Sequence, residues 1–224
     1  MSSPPMILVF ARAPIPGASK TRLIPALGAL GAARLHARLL ARTLDEVSKV
    51  PDARAVLCAD SPESAEWLVR YALPSGWELT VQRGEDLGSR MHHALVSGVS
   101  AAGRVLLIGS DIVDFSADDL GQALKALENG REVVLGPAAD GGYWLVGTGK
   151  PLPDALFKGL CWGDTGIFRE TCRRCEMLEL RWQAVSCRHD IDVPADLLLH
   201  QSGLESLKDP AWWVEPQGDP APER

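Results

Sequence analysis

The chain has 224 residues, of which 46% are hydrophobic and 23% are charged, and its formal net charge is −6 at pH 7. This composition is typical of one globular domain with a sizeable core. The negative charge argues against a broad nucleic-acid-binding surface. We expect no membrane span and no secretory signal, since the apolar runs are short. The odd number of cysteines, five, indicates a reduced, cytoplasmic protein.

Strand-like apolar segments alternate with helical patterns along the first 150 residues. In chain order we predict a strand at 6–12, a helix at 27–50, a strand at 54–59, a helix at 62–71, a strand at 78–82, a helix at 87–102, a strand at 104–109, a helix at 116–129 and strands at 132–136 and 143–146. Beyond residue 150 we predict a helix at 163–175, short strands near 178–182 and 184–187, and a short helix at 194–201. This alternation indicates βαβ units and a mainly parallel sheet.

One domain therefore accounts for residues 1–208, and residues 209–224 are expected to form a partly disordered tail. The tail contains four prolines and two adjacent tryptophans. Trp212 and Trp213 are candidates for packing back on the domain. The sequence does not determine the oligomeric state, and a homodimer is one option.

Three loops follow the ends of predicted strands, where ligands bind in open parallel sheets. The first loop, ARAPIPGASKTRL, carries Gly17, Lys20 and Arg22. It lacks the glycine spacing of a P-loop and the Gly-x-Gly-x-x-Gly pattern of dinucleotide-binding folds. Two interpretations remain: an ordinary surface turn, or a loop whose glycine and cations bind the phosphates of a small anionic ligand.

Aspartates follow the second of these strands and recur near the C-terminus. The stretch GSDIVD places Asp111 just beyond the strand at 104–109, and HDIDVPADL supplies Asp190 and Asp192. Asp111 could instead cap a turn or a helix. If the fold brings Asp111 and Asp192 together, the pair would suit magnesium, which completes its coordination with phosphate oxygens and water.

The third loop, within GPAADGGYW, contains Asp140, Gly141 and Gly142. It could be a hairpin turn of the Asp-Gly type, or a place where the backbone approaches a sugar or other acceptor closely. The Cys172-x-x-Cys175 pair lies inside a helical pattern and has no second pair, so it does not predict a zinc site.

Five motifs together resemble a known family. They are FARAPIPGASKTRL, GEDLGSRM, LLIGSDIVDFS, GPAADGGYWLVG and HDIDVPADL, in this order over roughly residues 6 to 200. The chain is identified on them as a member of a bacterial family of GT-A-like nucleotide-diphospho-sugar transferases, some members of which carry the label arsenosugar-biosynthesis glycosyltransferase. It is similar, more remotely, to phospholactate and molybdenum-cofactor guanylyltransferases.

The resemblance implies a GT-A fold: a Rossmann-like three-layer α/β sandwich whose mainly parallel sheet has about seven strands, one of them antiparallel. It implies that the loop from Ala11 to Arg22 wraps a nucleotide's phosphates and that Asp140, Gly141 and Gly142 face the acceptor. The implied nucleotide-binding residues are Ala11, Arg12, Gly17, Lys20, Arg22, Arg90 and Ser110. The implied metal ligands, for Mg²⁺ or Mn²⁺, are Asp111, Asp192 and Asp190. Family members commonly have proline where this chain has Val113, so the turn there is expected to differ.

We therefore predict a metal-dependent transferase that moves a sugar from a nucleotide-diphospho-sugar to an unknown small-molecule acceptor, with Lys20 and Asp111 as catalytic residues. Charge neutralisation on phosphate oxygens would be the main catalytic device. Two alternatives stay open. One is a nucleotidyltransferase that joins a nucleoside triphosphate to a phosphorylated small molecule. The other is a nucleotide-binding protein without catalysis, which the departure at Val113 favours.

Overall fold

The computed structural model describes residues 3–213 and contains one seven-stranded sheet. Its strands are β1 Met6–Ala11, β2 Arg54–Ala59, β3 Glu78–Val81, β4 Val105–Ile108, β5 Val133–Pro137, β6 Tyr143–Thr148 and β7 Trp182–Ala184. The strand order is β3-β2-β1-β4-β6-β5-β7, and β6 runs antiparallel to both of its neighbours while the other pairs are parallel. The predicted sheet, mainly parallel with one antiparallel strand, is confirmed.

Helices cover both faces of this sheet. They are α1 Ile24–Ser48, α2 Pro62–Tyr71, α3 Leu87–Ala102, α4 Ala117–Glu128, α5 Ile167–Met177, α6 Pro194–Leu199 and α7 Gln201–Glu205. Alternate residues of β1 point to opposite faces. Ile7 and Val9 pack with α1, α2 and α4, whereas Met6 and Leu8 pack with α3 and α5. The result is the predicted three-layer sandwich.

The prediction was less accurate after residue 150. The helix predicted at 163–175 begins only at Ile167, because Gly163 has a φ of 103° and lies in a turn before it. The segment 178–182 is not a separate strand. Glu179 adopts a φ of 53° and the Leu180 N–H donates to the Cys175 carbonyl, which closes the end of α5. One strand, β7, replaces the two that were predicted.

Helix α1, together with the 3-10 turn Thr21–Leu23 before it, is long and apolar enough to cross a membrane by its length and composition alone. The prediction of no membrane span did not take this helix into account, and it stays a prediction. Its buried residues include Leu39, which packs with residues of the C-terminal segment, and Leu40 and Leu44, which pack against the sheet. Gly28, with a φ of 70°, interrupts the helix near its start.

Part of the predicted tail packs on the domain. Asp209 accepts a hydrogen bond from Arg38 at 2.6 Å and pairs with Arg34. The ring of Trp212 meets that of Trp67 edge-on, with centroids 5.6 Å apart. The predicted disorder concerns mainly residues 214–224, which lie outside the described residues.

Candidate functional site

The loop that follows β1 is held in a fixed shape by a buried serine. Ser19 is fully buried, and its hydroxyl donates to the Ala13 carbonyl at 2.9 Å while accepting from the Ile15 N–H at 3.0 Å. The next residue, Lys20, has a φ of 48° and ψ of 46°, a left-handed conformation that non-glycine residues seldom adopt. Surrounding contacts must hold the backbone of Lys20 in this conformation. Its side chain points into the protein and is largely buried.

The Lys20 ammonium lies between two of the predicted aspartates. Nζ donates to Asp111 Oδ2 at 2.8 Å and lies 3.7 Å from Asp192 Oδ1. Only 4% of the Lys20 side chain is exposed. On the solvent side, Arg22 donates to Asp192 Oδ2 at 2.6 Å. The structure thus brings together Lys20, Arg22, Asp111 and Asp192, which the sequence places up to 172 positions apart.

Two short segments pair to make this meeting possible. Residues 111–113, beyond β4, run antiparallel to residues 189–191, with Ile112 opposite Asp190. The Ile191 N–H donates to the Asp111 carbonyl at 3.3 Å, and the Val113 N–H donates to the His189 carbonyl at 3.0 Å. A proline at position 113 could not make the second bond. Val113 therefore strengthens the pairing, and its side chain is buried.

The surroundings of Asp111 and Asp190 shift the pKa values of the two carboxyl groups in opposite directions. Burial opposes ionisation of Asp111, but the Lys20 ammonium outweighs it and lowers the pKa of Asp111 to about 2. Burial and the nearby Asp140 carboxylate instead raise the pKa of Asp190 to about 6. Asp111 and Asp190 thus differ in proton affinity although their segments are paired.

The pair Asp111 and Asp192 fits a divalent cation, since both carboxylates already approach one cationic atom, Lys20 Nζ. Phosphate oxygens and water would complete a magnesium shell. The structure does not extend this set to Asp190: residues 3–213 contain no group of three carboxylate, imidazole or thiol side chains that could hold a metal ion. The predicted third ligand therefore lacks geometric support.

Three depressions meet at Asp111 and Leu87, each lined by different chemistry. We name them the basic cleft, the strand-end cleft and the acidic cavity. The basic cleft is lined by Arg12, Lys20, Thr21, Arg22, His36 and Asp192. The strand-end cleft, beyond β1, β2 and β3, is lined by Phe10, Ala11, Arg12, Asp60, Gln82, Arg90 and Ser110. The acidic cavity is lined by Asp140, Gly142, Tyr143, Trp162, Asp164 and Asp190.

Most of the predicted site residues line one of these depressions, but two glycines do not. Gly141 has a φ of 95°, and a Cβ on it would lie 1.9 Å from the Thr165 carbonyl oxygen. Its close approach is to the protein's own chain, where its carbonyl accepts from the Phe168 N–H at 2.9 Å. Gly17 has a φ of 81°, and a Cβ on it would meet only open space, so this glycine serves the turn itself.

Asp140 also has a local role. Its Oδ1 accepts the Gly142 N–H at 2.8 Å, which closes the turn predicted as the alternative for this loop. The turn leads into β6 and presents Asp140 and Gly142 to the acidic cavity. Arg90 on α3 donates to the Gly84 carbonyl at 3.1 Å and borders the strand-end cleft.

Sequence reasoning missed His36, a 3% exposed residue of α1. Its Nε2 lies 3.2 Å from the Arg12 carbonyl. Since a carbonyl can only accept, Nε2 carries the hydrogen, and Nδ1 is buried with no hydrogen-bond partner among the described residues. Burial lowers the pKa of His36 despite the nearby Asp111 carboxylate. A histidine within the buried leucine-rich face of α1 was the available signal.

Trp162 was also missed. It borders both the basic cleft and the acidic cavity. A Cβ on Gly88 would come within 2.9 Å of the indole, so the ring lies directly against the first turn of α3. The available signal was a tryptophan beside Gly163 and Asp164 in a loop.

The cysteine pair packs inside the domain. Cys172 and Cys175 lie on α5 and pack with the core on that side of the sheet. Burial raises the pKa of Cys175 to about 12. A protonated buried thiol is a poor metal ligand.

The middle of the chain matches a bacterial protein family. The family described as "Uncharacterized protein conserved in bacteria (DUF2064)" matches residues 43–164, more than half of the chain. The chain belongs to this family. The matched part includes Arg90, Asp111 and Asp140, whereas the Lys20 loop and Asp192 lie outside it. No match was found among curated proteins.

Solved structures extend the likeness over most of the chain. A protein from Desulfovibrio desulfuricans G20 named "putative nucleotide-diphospho-sugar transferase" is 28% identical, with a TM-score of 0.81 over 90% of this chain and 88% of that one. The resemblance inferred from the five motifs is confirmed.

Two further structures share the fold. One is 4-diphosphocytidyl-2C-methyl-D-erythritol synthase from Anaerococcus prevotii DSM 20548, which is 13% identical, with a TM-score of 0.57 over 89% of this chain and 95% of that one. The other is glucosyl-3-phosphoglycerate synthase from Mycobacterium tuberculosis, solved with Mn²⁺ and UDP, which is 11% identical, with a TM-score of 0.51 over 89% of this chain and 76% of that one. All three neighbours are transferases, and the predicted transferase class is confirmed.

Proposed function

We propose that this member of the DUF2064 family is a divalent-metal-dependent transferase that binds a nucleotide-diphospho-sugar and moves the sugar to a small-molecule acceptor. The observation that carries the proposal is the position of Lys20. It is buried, held in an unusual backbone conformation and aimed at Asp111, where the basic cleft, the strand-end cleft and the acidic cavity meet. Charged groups that converge in a cleft in this way mark a candidate site for a charged ligand.

In this proposal the nucleoside lies in the strand-end cleft and its diphosphate in the basic cleft. Arg12, Lys20 and Arg22 would bind the phosphate oxygens, with Lys20 exchanging its carboxylate partner for phosphate. Mg²⁺ or Mn²⁺, held by Asp111 and Asp192, would supply additional positive charge at the diphosphate when bound. The neighbour solved with Mn²⁺ and UDP supports a metal and a nucleotide in this fold.

The transfer step needs charge stabilisation more than covalent help from the protein. The bond between the sugar's anomeric carbon and the diphosphate oxygen breaks, and a bond from the acceptor's hydroxyl oxygen to that carbon forms. The hydroxyl proton passes to a base, and the diphosphate leaves with the bonding electron pair. Because negative charge grows on the leaving diphosphate, Lys20 and Arg22 would bind it more tightly in the transition state than in the substrate.

Nucleotidyl transfer is the second candidate, supported by the synthase from Anaerococcus prevotii that shares the fold. The basic cleft would serve a triphosphate equally well. The two reactions release different products, a nucleoside diphosphate or pyrophosphate. The third alternative, binding without catalysis, was based on Val113, whose N–H donates to the His189 carbonyl, and it stays an alternative that product analysis decides. Cytoplasmic location and a homodimer stay predictions.

Isothermal titration of UDP and GDP with Mg²⁺ tests the assignment of the diphosphate to Lys20. Losing one charge-assisted contact in Lys20→Ala should weaken binding about ten- to hundred-fold, from about 1.5 to 3 kcal/mol. Lys158→Ala, which removes a 79% exposed lysine, is the charge-matched control and should bind as the unaltered protein does. An unchanged dissociation constant in folded Lys20→Ala at low salt contradicts the proposal. Product analysis then distinguishes released diphosphate from pyrophosphate.

A further inference from the structure

The acidic cavity has a chemical character opposite to that of the basic cleft on the other side of Asp111. It encloses about 290 Å³, room for a small molecule. Its charged lining residues are Asp111, Asp140, Asp164 and Asp190, and no lysine, arginine or histidine lines it within residues 3–213. The basic cleft, by contrast, contains Arg12, Lys20 and Arg22. Positive side chains therefore lie on one side of Asp111 and negative side chains on the other, at the point where transfer would occur.

These aspartates are not arranged to share one metal ion. No three carboxylate, imidazole or thiol groups in the described part of the chain could hold one. Asp111 alone of the four pairs with a lysine or arginine in residues 3–213. The other three present negative charge to whatever occupies the cavity. A phosphorylated or carboxylated occupant would be repelled by it.

An aromatic wall adds a second, independent feature. The rings of Tyr143 and Trp162 meet edge-on, with centroids 6.1 Å apart. Trp162 is fixed in place against the backbone of α3 at Gly88. The electron-rich face of an indole attracts organic cations, and the attraction grows when neighbouring carboxylates complement the charge.

We propose that the acceptor is a small hydroxylated organic cation, such as an amino sugar or amino alcohol, whose ammonium group is held between Trp162 and the aspartates of the acidic cavity. This inference rests on the proposed function for its reaction. The acceptor's hydroxyl oxygen bonds to the anomeric carbon as the diphosphate leaves, the hydroxyl proton is lost to a base, and the ammonium charge is unchanged throughout. A phosphorylated acceptor, required by the nucleotidyl-transfer alternative, is disfavoured by the same cavity.

Ligand pairs in which one member carries an ammonium group and the other is uncharged test this assignment. Choline and its uncharged carbon isostere 3,3-dimethylbutan-1-ol form one pair, glucosamine and glucose a second, and phosphocholine is the anion-bearing probe. Saturation-transfer NMR titrations on the full chain measure their dissociation constants at millimolar concentrations. We expect each ammonium compound to bind roughly five-fold or more tightly than its neutral partner. We also expect added salt to reduce that preference.

Two variants locate the effect. Asp164→Asn removes one carboxylate from the rim and should lower the preference for the ammonium compound, as should Trp162→Leu, which keeps an apolar side chain. Asp154→Asn, an exposed aspartate outside the cavity, is the charge-matched control and should keep the preference. Equal binding within both pairs, no detectable binding of either ammonium compound, stronger binding of phosphocholine, or an unaltered preference in folded Asp164→Asn overturns the proposal.

Failure of the proposed function would look different. It would appear as UDP and GDP binding that does not depend on Lys20, whatever the ammonium preference of the cavity. Conversely, Lys20-dependent nucleotide binding with no ammonium preference would leave the transferase proposal intact and remove only the class of acceptor.

Discussion

Replacing Asp111 by asparagine keeps the shape of the side chain and removes the charge that faces Lys20. A pKa lowered from 3.8 to about 2 corresponds to about 2.5 kcal/mol of favourable interaction. Because the Asp111 side chain is 41% exposed, solvent screens part of this, and we expect about 1 kcal/mol from that source. Lys20 also loses its nearer partner while 4% exposed, and Asp192 only partly replaces it. The total destabilisation should be about 1–2 kcal/mol.

Urea denaturation of both proteins between pH 7 and acidic pH measures this difference. For a chain of this size, a destabilisation of about 1–2 kcal/mol corresponds to a melting temperature lower by about 2–8 °C. The folded-state pKa is lowered, so the contribution is present above the unfolded pKa of 3.8 and is lost as the pH falls towards about 2. The gap between the two proteins should therefore stay constant from neutral pH to about pH 5 and narrow below about pH 4.

The control and the ligand response complete the test. Asp45→Asn removes an exposed aspartate that pairs with Lys49 at 2.7 Å and should cost little, about 0.5 kcal/mol. In Asp111→Asn the Mg²⁺-dependent part of UDP or GDP binding should also fall. An Asp111→Asn protein as stable as the unaltered one across this pH range would refute the inferred ion pair. A destabilised protein whose metal response is normal would refute the metal assignment.

The remaining predictions concern the scaffold of the site. Burial lowers the pKa of His36 below its ordinary value of 6.5, so below about pH 6.5 the unfolded chain binds a proton more readily than the folded chain and stability should fall. His36→Gln should flatten this pH dependence in urea denaturation, and an unchanged slope contradicts the prediction. Gly141→Ala should cost about 2–4 kcal/mol, because its Cβ would meet a backbone oxygen at 1.9 Å. Gly159→Ala, with a φ of 70° but open space, should cost only about 1 kcal/mol; equal melting temperatures for the two variants would be the contrary result. Val113→Pro should cost about 1–3 kcal/mol by leaving the His189 carbonyl without its donor, and a variant with the original stability would show that this bond contributes nothing.

The sequence by itself determined the architecture. Strands such as β2 and helices such as α2 and α3 begin and end where their patterns predicted, because apolar periodicity and capping residues are local properties. The same locality explains the failures after residue 150, where positive-φ residues such as Glu179 end elements without a marked change in composition. The loop positions of Lys20, Asp111 and Asp140 followed from the rule that strand ends carry sites.

Only the tertiary structure decided which of these residues meet. Asp192 reaches Lys20 because residues 189–191 pair with residues 111–113, and hydrogen-bond pairing between distant segments leaves no periodic trace in either. The tight contact of Gly141 with its own chain depends likewise on where the 163–167 segment lies. The fold also places the cations Arg12, Lys20 and Arg22 on one side of Asp111 and the carboxylates of the acidic cavity on the other. The sequence does not show this separation, because it depends on which loops the strand order brings together.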